Sequence, residues 1–546
     1  LISVYTMRTL PALIKIIPKL MDMPACLFKR IICIWCALFF ISRNTSAQWV
    51  SYSEPTGRVG EEERMAGKSG NNYWILKITP PPFGKKAADI PGSWEQHLFE
   101  IYDYRLRFIK KVNNKPLPFS TKKIYAASGT YYLDLIYLTD NESSTHVWRR
   151  RYTPEGDLTS DSLIAIFPFK EPMHRFLALR SQNRKRLLLL GFESVEDASP
   201  NVHAILLEEN GQVRWQHKYH HPSLTQPMIQ DEEFGSPVEH FSNAPIQLLN
   251  NGDWITILPS RTGMQFELFH FPFRDTGFVV RSVKKPPRTT LEDLVLTVNN
   301  ERKTAAAGVL SRFTYRSLKN VQVMRYDLSE KAILLDTSYR FNALLADKVS
   351  TRSLVKEHLT SVPGSGFALL REYGRQLDYL YDGVNLTSFD GNELIASNGL
   401  SMNDEPVKKD KKATYFRSAK LGGMRTEFER GDLSIFFFPS LPGDSCWSGL
   451  INKEQNTEFN SPYLSYLMIP AKGKLHFLNN DFHSPWKQFG SSTVLDEQGK
   501  LYDGEGTVFW KFQHVLLFQQ AVRIDANEIG IPYRWNERTG FSIIRF

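Results

Sequence analysis

The chain holds 546 residues, 42% hydrophobic and 23% charged, a balance that excludes a disordered chain. Its formal charge of +9 is concentrated at one end: residues 1–47 carry Arg8, Lys15, Lys19, Lys29, Arg30 and Arg43 against Asp22, leaving +4 for the rest. That residual field is too weak and too dispersed for a phosphate-binding surface, so no nucleic-acid partner is expected.

The first predicted element is a leader. Met23-Pro-Ala-Cys-Leu-Phe-Lys29-Arg30 precedes an apolar run from Ile31 to Ile41, and Ser-Arg-Asn-Thr-Ser-Ala47-Gln48 follows it. A basic start, a short apolar middle and small residues at the exit form the pattern of a secretory signal peptide. The apolar run is shorter than the roughly 20 residues that span a bilayer, so no transmembrane segment is expected in the mature chain. Residues 1–47 therefore read as an over-extended leader plus signal peptide, with Met23 or Met7 as the start. Residues 48–70 read as a flexible N-terminal segment and 71–546 as the folded domain. Cys26, Cys33 and Cys36 fall within the leader, where Cys33-x-x-Cys36 is apolar filler, and Cys446 alone remains in the mature chain. A large core without internal disulfides is then expected, in the periplasm, at the cell surface or outside the cell.

From about Trp74 onward, short apolar or aromatic runs alternate with polar turns containing Gly. Examples are Thr153-Pro-Glu-Gly156-Asp, Glu208-Glu-Asn-Gly211-Gln, Leu249-Asn-Asn-Gly252-Asp, Tyr381-Asp-Gly383-Val, Ala471-Lys-Gly473-Lys, Asp496-Glu-Gln-Gly499-Lys and Asn536-Glu-Arg-Thr-Gly540. Such turns supply the positive φ of tight hairpins. The 22 Tyr, 36 Phe and 11 Trp suit pleated, half-buried surfaces. Short helices are predicted only around Thr290–Val298 and Arg340–Lys348, in connections. Hairpins without a helical layer imply a sandwich, a barrel or a propeller, and turn spacings of roughly 40–55 residues select the propeller. The predicted fold is all-β, a single β-propeller of about seven blades, with six or eight compatible. Its segments are set near 71–120, 121–172, 173–244, 245–299, 300–349, 350–420 and 421–486, closed by 487–546.

The phrases Leu98-Phe-Glu-Ile-Tyr-Asp-Tyr104-Arg-Leu, Asn210-Gly-Gln-Val-Arg-Trp215 and Glu528-Ile-Gly-Ile-Pro532-Tyr-Arg, with the leader ending Thr45-Ser-Ala-Gln48, carry a resemblance. The chain resembles uncharacterised exported β-propeller proteins of the Bacteroidota over most of residues 71–546. It lacks the regular Gly-His and Trp-Asp signatures of WD40 repeats and the paired glycines of kelch repeats. The resemblance implies a fold and a compartment, and no catalytic motif.

The metal candidates are His217, His220 and His221, with Glu239-His240 further along. Zinc needs three or four N, S or O ligands converging on one point, but this spacing matches no zinc signature. Asp496-Glu-Gln-Gly-Lys-Leu-Tyr-Asp503-Gly-Glu505 is acidic without the spacing of a calcium loop. No G-x-S-x-G motif occurs, and Gly364-Ser365-Gly366 reads as a flexible loop. Cys446, with His476 and His483 downstream, is the one thiol–imidazole possibility. Carboxylates at Asp231, Glu232, Glu233, Asp432, Asp503 and Glu505 are candidates for glycosidic chemistry, which sets two acids about 5–10 Å apart. Arg430-Gly431-Asp432 reads as a hairpin turn, Lys408–Lys412 as a solvated loop, and Asn385-Leu-Thr387 as a chance glycosylation pattern. Trp254, Trp447 and Trp486 are candidates to stack on sugar rings or to fill the space between blades. No cofactor is expected. The functional expectation is an exported, non-enzymatic binding or scaffold propeller for a protein or glycan ligand. A carbohydrate-active enzyme, hydrolase or lyase, is the alternative, and a subunit of an envelope assembly is a second.

Overall fold

The computed structural model describes residues 49–545 apart from 79–96, 226–233, 236–243, 343–352, 396–422, 458–465, 504–513 and shorter breaks of one to five residues between or beside strands. The predicted leader lies outside the described residues. Strand is nearly the only regular structure described; the exceptions are two 3₁₀ turns, Met173–Arg175 and Phe518–Gln520.

The strands form eight antiparallel sheets in chain order, the blades of a β-propeller. Blade 1 runs from Glu62 to Val112, blade 2 from Thr121 to Phe167, blade 3 from Phe176 to Tyr219 and blade 4 from Ile246 to Lys284. Blade 5 runs from Thr289 to Asn342, blade 6 from Ser353 to Thr457 and blade 7 from Leu467 to Asp503. Blade 8 takes Glu528–Trp535 and Arg538–Arg545 from the end of the chain and Trp49–Tyr52 from its beginning, with Trp49 opposite Arg545. Two short strands, His514–Leu516 and Val522–Asp525, pair with Glu528–Trp535 to complete it.

Burial orders the strands from axis to rim. In blade 3 every residue of the first strand, Phe176–Arg180, is buried, whereas the fourth, Val213–Tyr219, is exposed or partly covered up to its last residue, Tyr219, which is buried. First strands of successive blades lie side by side: Phe176–Arg180 touches Ile246–Leu248, which touches Thr289–Asn299, which touches Ser353–Val362. They ring the axis.

Strand side chains alternate between the two faces of a sheet, so a blade that is apolar on both faces must be covered on both. Blade 1 shows the rule: Trp74 and Leu76 pack toward blade 2, while Tyr73 and Ile75 pack toward blade 8. Eight apolar clusters result, one in each seam, and the seam between blades 8 and 1 closes the ring. The blade count is eight, within the range predicted.

Four sequence boundaries move. Two of them, 299/300 and 486/487, fall inside blades 5 and 7, between Thr289–Asn299 and Thr304–Phe313 and between Lys474–Ser484 and Lys487–Leu495. Strand structure begins before residue 71, because Glu62–Ser69 is the first strand of blade 1 and Trp49–Tyr52 lies in blade 8. The predicted break at 420/421 falls inside blade 6, between its second strand, Gly366–Tyr381, and its third, Gly423–Pro439. The helices predicted in connections are not seen. Thr289–Asn299 is a strand bearing alternating apolar residues, Ala332–Asn342 is a strand, and 343–348 lies outside the described residues.

Candidate functional site on the long-connection face

The two faces of the disc differ in the length of the connections between the strand ends that open on them. Connections between first and second strands, and between third and fourth, are short, as at Ser69–Asn72, Arg180–Arg186 and Glu208–Val213. The chain between second and third strands, and from blade to blade, leaves and returns on the opposite face. These connections include 79–96, 220–245, 382–422 and 458–466. From one of them Phe234–Gly235 pairs in parallel with Ile124 and Tyr125 on the innermost strand of blade 2.

Blade 6 reaches furthest on this face. Its central strands, Gly366–Tyr381 and Gly423–Pro439, are the longest described, and only Gly366–Gly374 of the former pairs with Ser353–Val362. The pairing then continues from Gly374 opposite Arg430 to Tyr381 opposite Gly423, with Leu386–Asp390 and Glu393–Ile395 added along the edge. This extension forms an arm.

At the root of the arm the innermost strand breaks its apolar pattern at Lys356-Glu357-His358. On the blade 5 side, Arg371 Nε donates to Glu357 Oε2 at 2.6 Å, and Lys319 bridges Glu357 and Glu292, reaching the latter at 2.7 Å. Lys319 and Arg371 are almost wholly buried, and Arg312 joins Glu292 at 2.9 Å. Burial raises the Asp293 carboxyl pKa, against the backbone N–H bonds from Leu359 and Leu294.

On the blade 7 side, His358 meets Tyr466, the residue before the first strand of blade 7. The Tyr466 hydroxyl lies 3.4 and 3.3 Å from the two ring nitrogens, and the rings are 6.0 Å apart at 13°. Both side chains are half-buried. Burial, and then the charge of Lys356, lower the imidazole pKa to about 4, so it is neutral at pH 7. Burial, then Glu372, raise the Tyr466 phenol well above its ordinary range. Glu372 is itself paired with Lys453, which also donates to Gln455 at 3.1 Å, all three being buried. A neutral imidazole can accept a proton and a protonated phenol can donate one. Ammonium groups stand nearby, that of Lys356 5.8 Å from the Tyr466 ring centre.

The residues singled out in the sequence are placed elsewhere. Trp254 is buried in the seam of blades 3 and 4, stacked on Phe271 at 3.6 Å and 1° and edge-on to Tyr219 at 6.0 Å. It fills a seam and presents no face to a sugar. Trp447 is half-buried and stacked on Phe437 at 4.9 Å, and Trp486 lies outside the described residues. His217 stacks on Trp215 at 4.8 Å, His220 is exposed, and His221 accepts the Ser223 N–H while its ring packs against Phe269. Among the described residues no three His, Cys, Asp or Glu side chains are grouped to hold a metal. Cys446 is exposed and unbridged. Arg430-Gly431-Asp432 lies within the strand Gly423–Pro439, not in a hairpin turn, and Gly366 opens the strand Gly366–Tyr381. Asp503 ends a strand of blade 7. Asp231, Glu232, Glu233, Glu239, His240, Lys408–Lys412 and Glu505 lie outside the described residues.

Sequence reasoning missed His358, Tyr466, Arg371, Glu372, Lys319 and Lys453. One signal was available: charged residues set inside otherwise apolar strand runs, as in Leu354-Val-Lys-Glu-His-Leu359 and Leu369-Leu-Arg-Glu-Tyr373. Buried charges are costly unless paired, so such interruptions mark built polar clusters.

No protein-family model and no curated protein matches the chain. Among solved structures it is similar to an oligogalacturonate lyase in complex with manganese, at 8% identity and a TM-score of 0.34, covering 92% of this chain and 96% of that one. The polysaccharide lyase Uly1 aligns at 10% identity and a TM-score of 0.36, over 92% and 99% of the two chains. The acylaminoacyl peptidase of Pyrococcus horikoshii aligns at 10% and 0.28, over 82% and 57%.

Proposed function

We propose that this protein is an exported binding propeller that takes a hydroxyl-rich ligand, a glycan, on its long-connection face at the seam of blades 6 and 7. The observation that carries this reading is the half-buried His358–Tyr466 pair, set with Lys356 at the root of the blade 6 arm. Imidazole and phenol each present a donor or acceptor beside a ring face, the combination that orients sugars. The basic, apolar and small-residue pattern of residues 23–48 supports export. No helix among the described residues is long and apolar enough to cross a membrane.

A second reading, a carbohydrate-active enzyme, is favoured by one feature of the same pair, the approach of imidazole and phenol to within 3.4 Å of each other. Acid–base work of this kind needs both groups within reach of the bond being broken.

A glycan array probed with the full chain, followed by calorimetric titration of the best ligand, tests both readings. Tyr466→Phe and His358→Gln are expected to weaken binding about tenfold, as the loss of one hydrogen bond to a ligand predicts. Unchanged affinity in both variants would overturn the location of the site. New reducing ends that accumulate with wild type and vanish with either variant would decide for the enzyme.

A further inference from the structure

The opposite face carries a recess that the preceding reading does not use. It is a small, open recess between blades 2 and 3, lined by Arg149, Arg180, Arg184, Lys185 and Arg186 together with Asp134, Glu208 and Glu209. Two of those carboxylates are engaged. Asp134 is held by both ends of Arg151 at 2.6 Å, and Glu208 lies 3.4 Å from Arg186 Nε. Glu209 stands exposed at the rim.

Arg149 reaches in from the third strand of blade 2. Its Nη1 donates to the Asn210 carbonyl at 2.6 Å, while its Nε is buried without a hydrogen-bond partner. Burial lowers its pKa, with the neighbouring Arg151 adding to the effect and Asp134 opposing it. A partly buried cation with an unsatisfied donor is costly, and an anion in the recess would compensate its charge.

Arg184 enters from the turn that opens blade 3, with a φ of 60°. Its N–H donates to the Ser181 carbonyl at 2.9 Å, closing the turn. Glycine holds the same place in the neighbouring turns: Gly211 donates to Glu208 and Gly252 to Leu249, both with positive φ. Left-handed backbone disfavours a residue with a Cβ. Here that position brings Arg184 to the recess, while Leu106 holds the same place in a turn of blade 1, donating to Asp103 with a φ of 60°.

We propose that this recess binds a tetrahedral oxyanion, phosphate or sulfate, free or as a sugar ester, held by Arg149, Arg184 and Lys185. Cations from separate segments present donors to several oxygens at once, as a tetrahedral anion requires. The site is independent of the one on the long-connection face.

The test follows thermal stability and calorimetric binding of the full chain with inorganic phosphate, inorganic sulfate and glucose 6-phosphate. Chloride at matched ionic strength is the control. Wild type is expected to show saturable stabilisation by at least one of the three anions. Arg184→Gly removes the cation and restores the residue that neighbouring turns use. It is expected to fold with an equal or higher midpoint and to bind about tenfold more weakly. Arg149→Met, which keeps the apolar stem, is expected to lose a similar factor. A response to the ester alone assigns an esterified ligand, and a response to the inorganic anions assigns a free one. Stabilisation that tracks ionic strength, or that is identical in wild type and both variants, would overturn the proposal.

Discussion

The seam between blades 3 and 4 and the seam between blades 6 and 7 are built on the same plan and finished differently. Both bury a cluster of strand side chains from facing sheets. The first is completed by rings: Trp254 lies flat on Phe271, and Tyr219 meets both edge-on. The second carries His358, Tyr466, Glu372 and Lys453 at its long-connection end. Aromatic packing holds two blades together wherever it occurs, whereas a paired ionisable cluster gains little stability over an apolar one of the same shape. A polar end in an otherwise apolar seam is therefore better explained by what it contacts than by what it stabilises.

Substitutions in the two seams are expected to behave differently. The largest effect is expected from Trp254→Ala, which empties the centre of the first seam and should cost about 3–5 kcal/mol in urea unfolding, with no loss of ligand binding at blades 6 and 7. A loss under 1 kcal/mol would remove the distinction drawn here. Next, Lys453→Met takes the ammonium from buried Glu372 and should cost about 3 kcal/mol, while Lys453→Met combined with Glu372→Leu should recover most of it. A double variant no better than the single would mean that the pair carries intrinsic stability.

A third effect depends on pH. The imidazole of His358 has a pKa of about 4 in the folded protein, below the usual histidine value, chiefly through burial. Between about pH 6.5 and 4 the unfolded chain binds a proton that the folded one does not, so this group's contribution to stability is full above pH 6.5 and falls as the pH drops toward 4. The loss should be roughly 3 kcal/mol, and His358→Gln should flatten that part of a melting-temperature profile. A profile unchanged by the substitution would place the titration elsewhere. The smallest effect belongs to Tyr466→Phe, which should alter stability by less than about 1 kcal/mol while weakening the ligand. An equal loss of both would return Tyr466 to a purely structural role.

The fold was legible because strand patterning and hairpin turns are local signals. Gly156, Gly211 and Gly252 all stand in turns with positive φ. Their spacing still misplaced the boundaries, since Gly156 and Gly211 join third to fourth strands while Gly252 joins first to second. The 382–422 connection inside blade 6 further obscured the period. The site was far less legible. His358 and Tyr466 are separated by 108 residues and meet only because adjacent blades place their first strands together. Trp254 attracted attention as an aromatic, yet burial inside a seam cannot be told from exposure when both faces of a strand are apolar. Charges inside apolar strands were the readable clue, and they become informative once the sheet shows that both faces are covered.

Blade 8 has a consequence for how the molecule is made. Its rim strand, Trp49–Tyr52, has its partner almost five hundred positions further along, and Arg545 Nη1 donates to Ser51 Oγ at 3.1 Å. Closing so long a span is entropically slow, and no intermediate length of polypeptide supplies the missing edge. The circle cannot be clasped before Glu528–Arg545 has been made, so a product that stops short of it presents an open sheet margin ready to pair with a stranger.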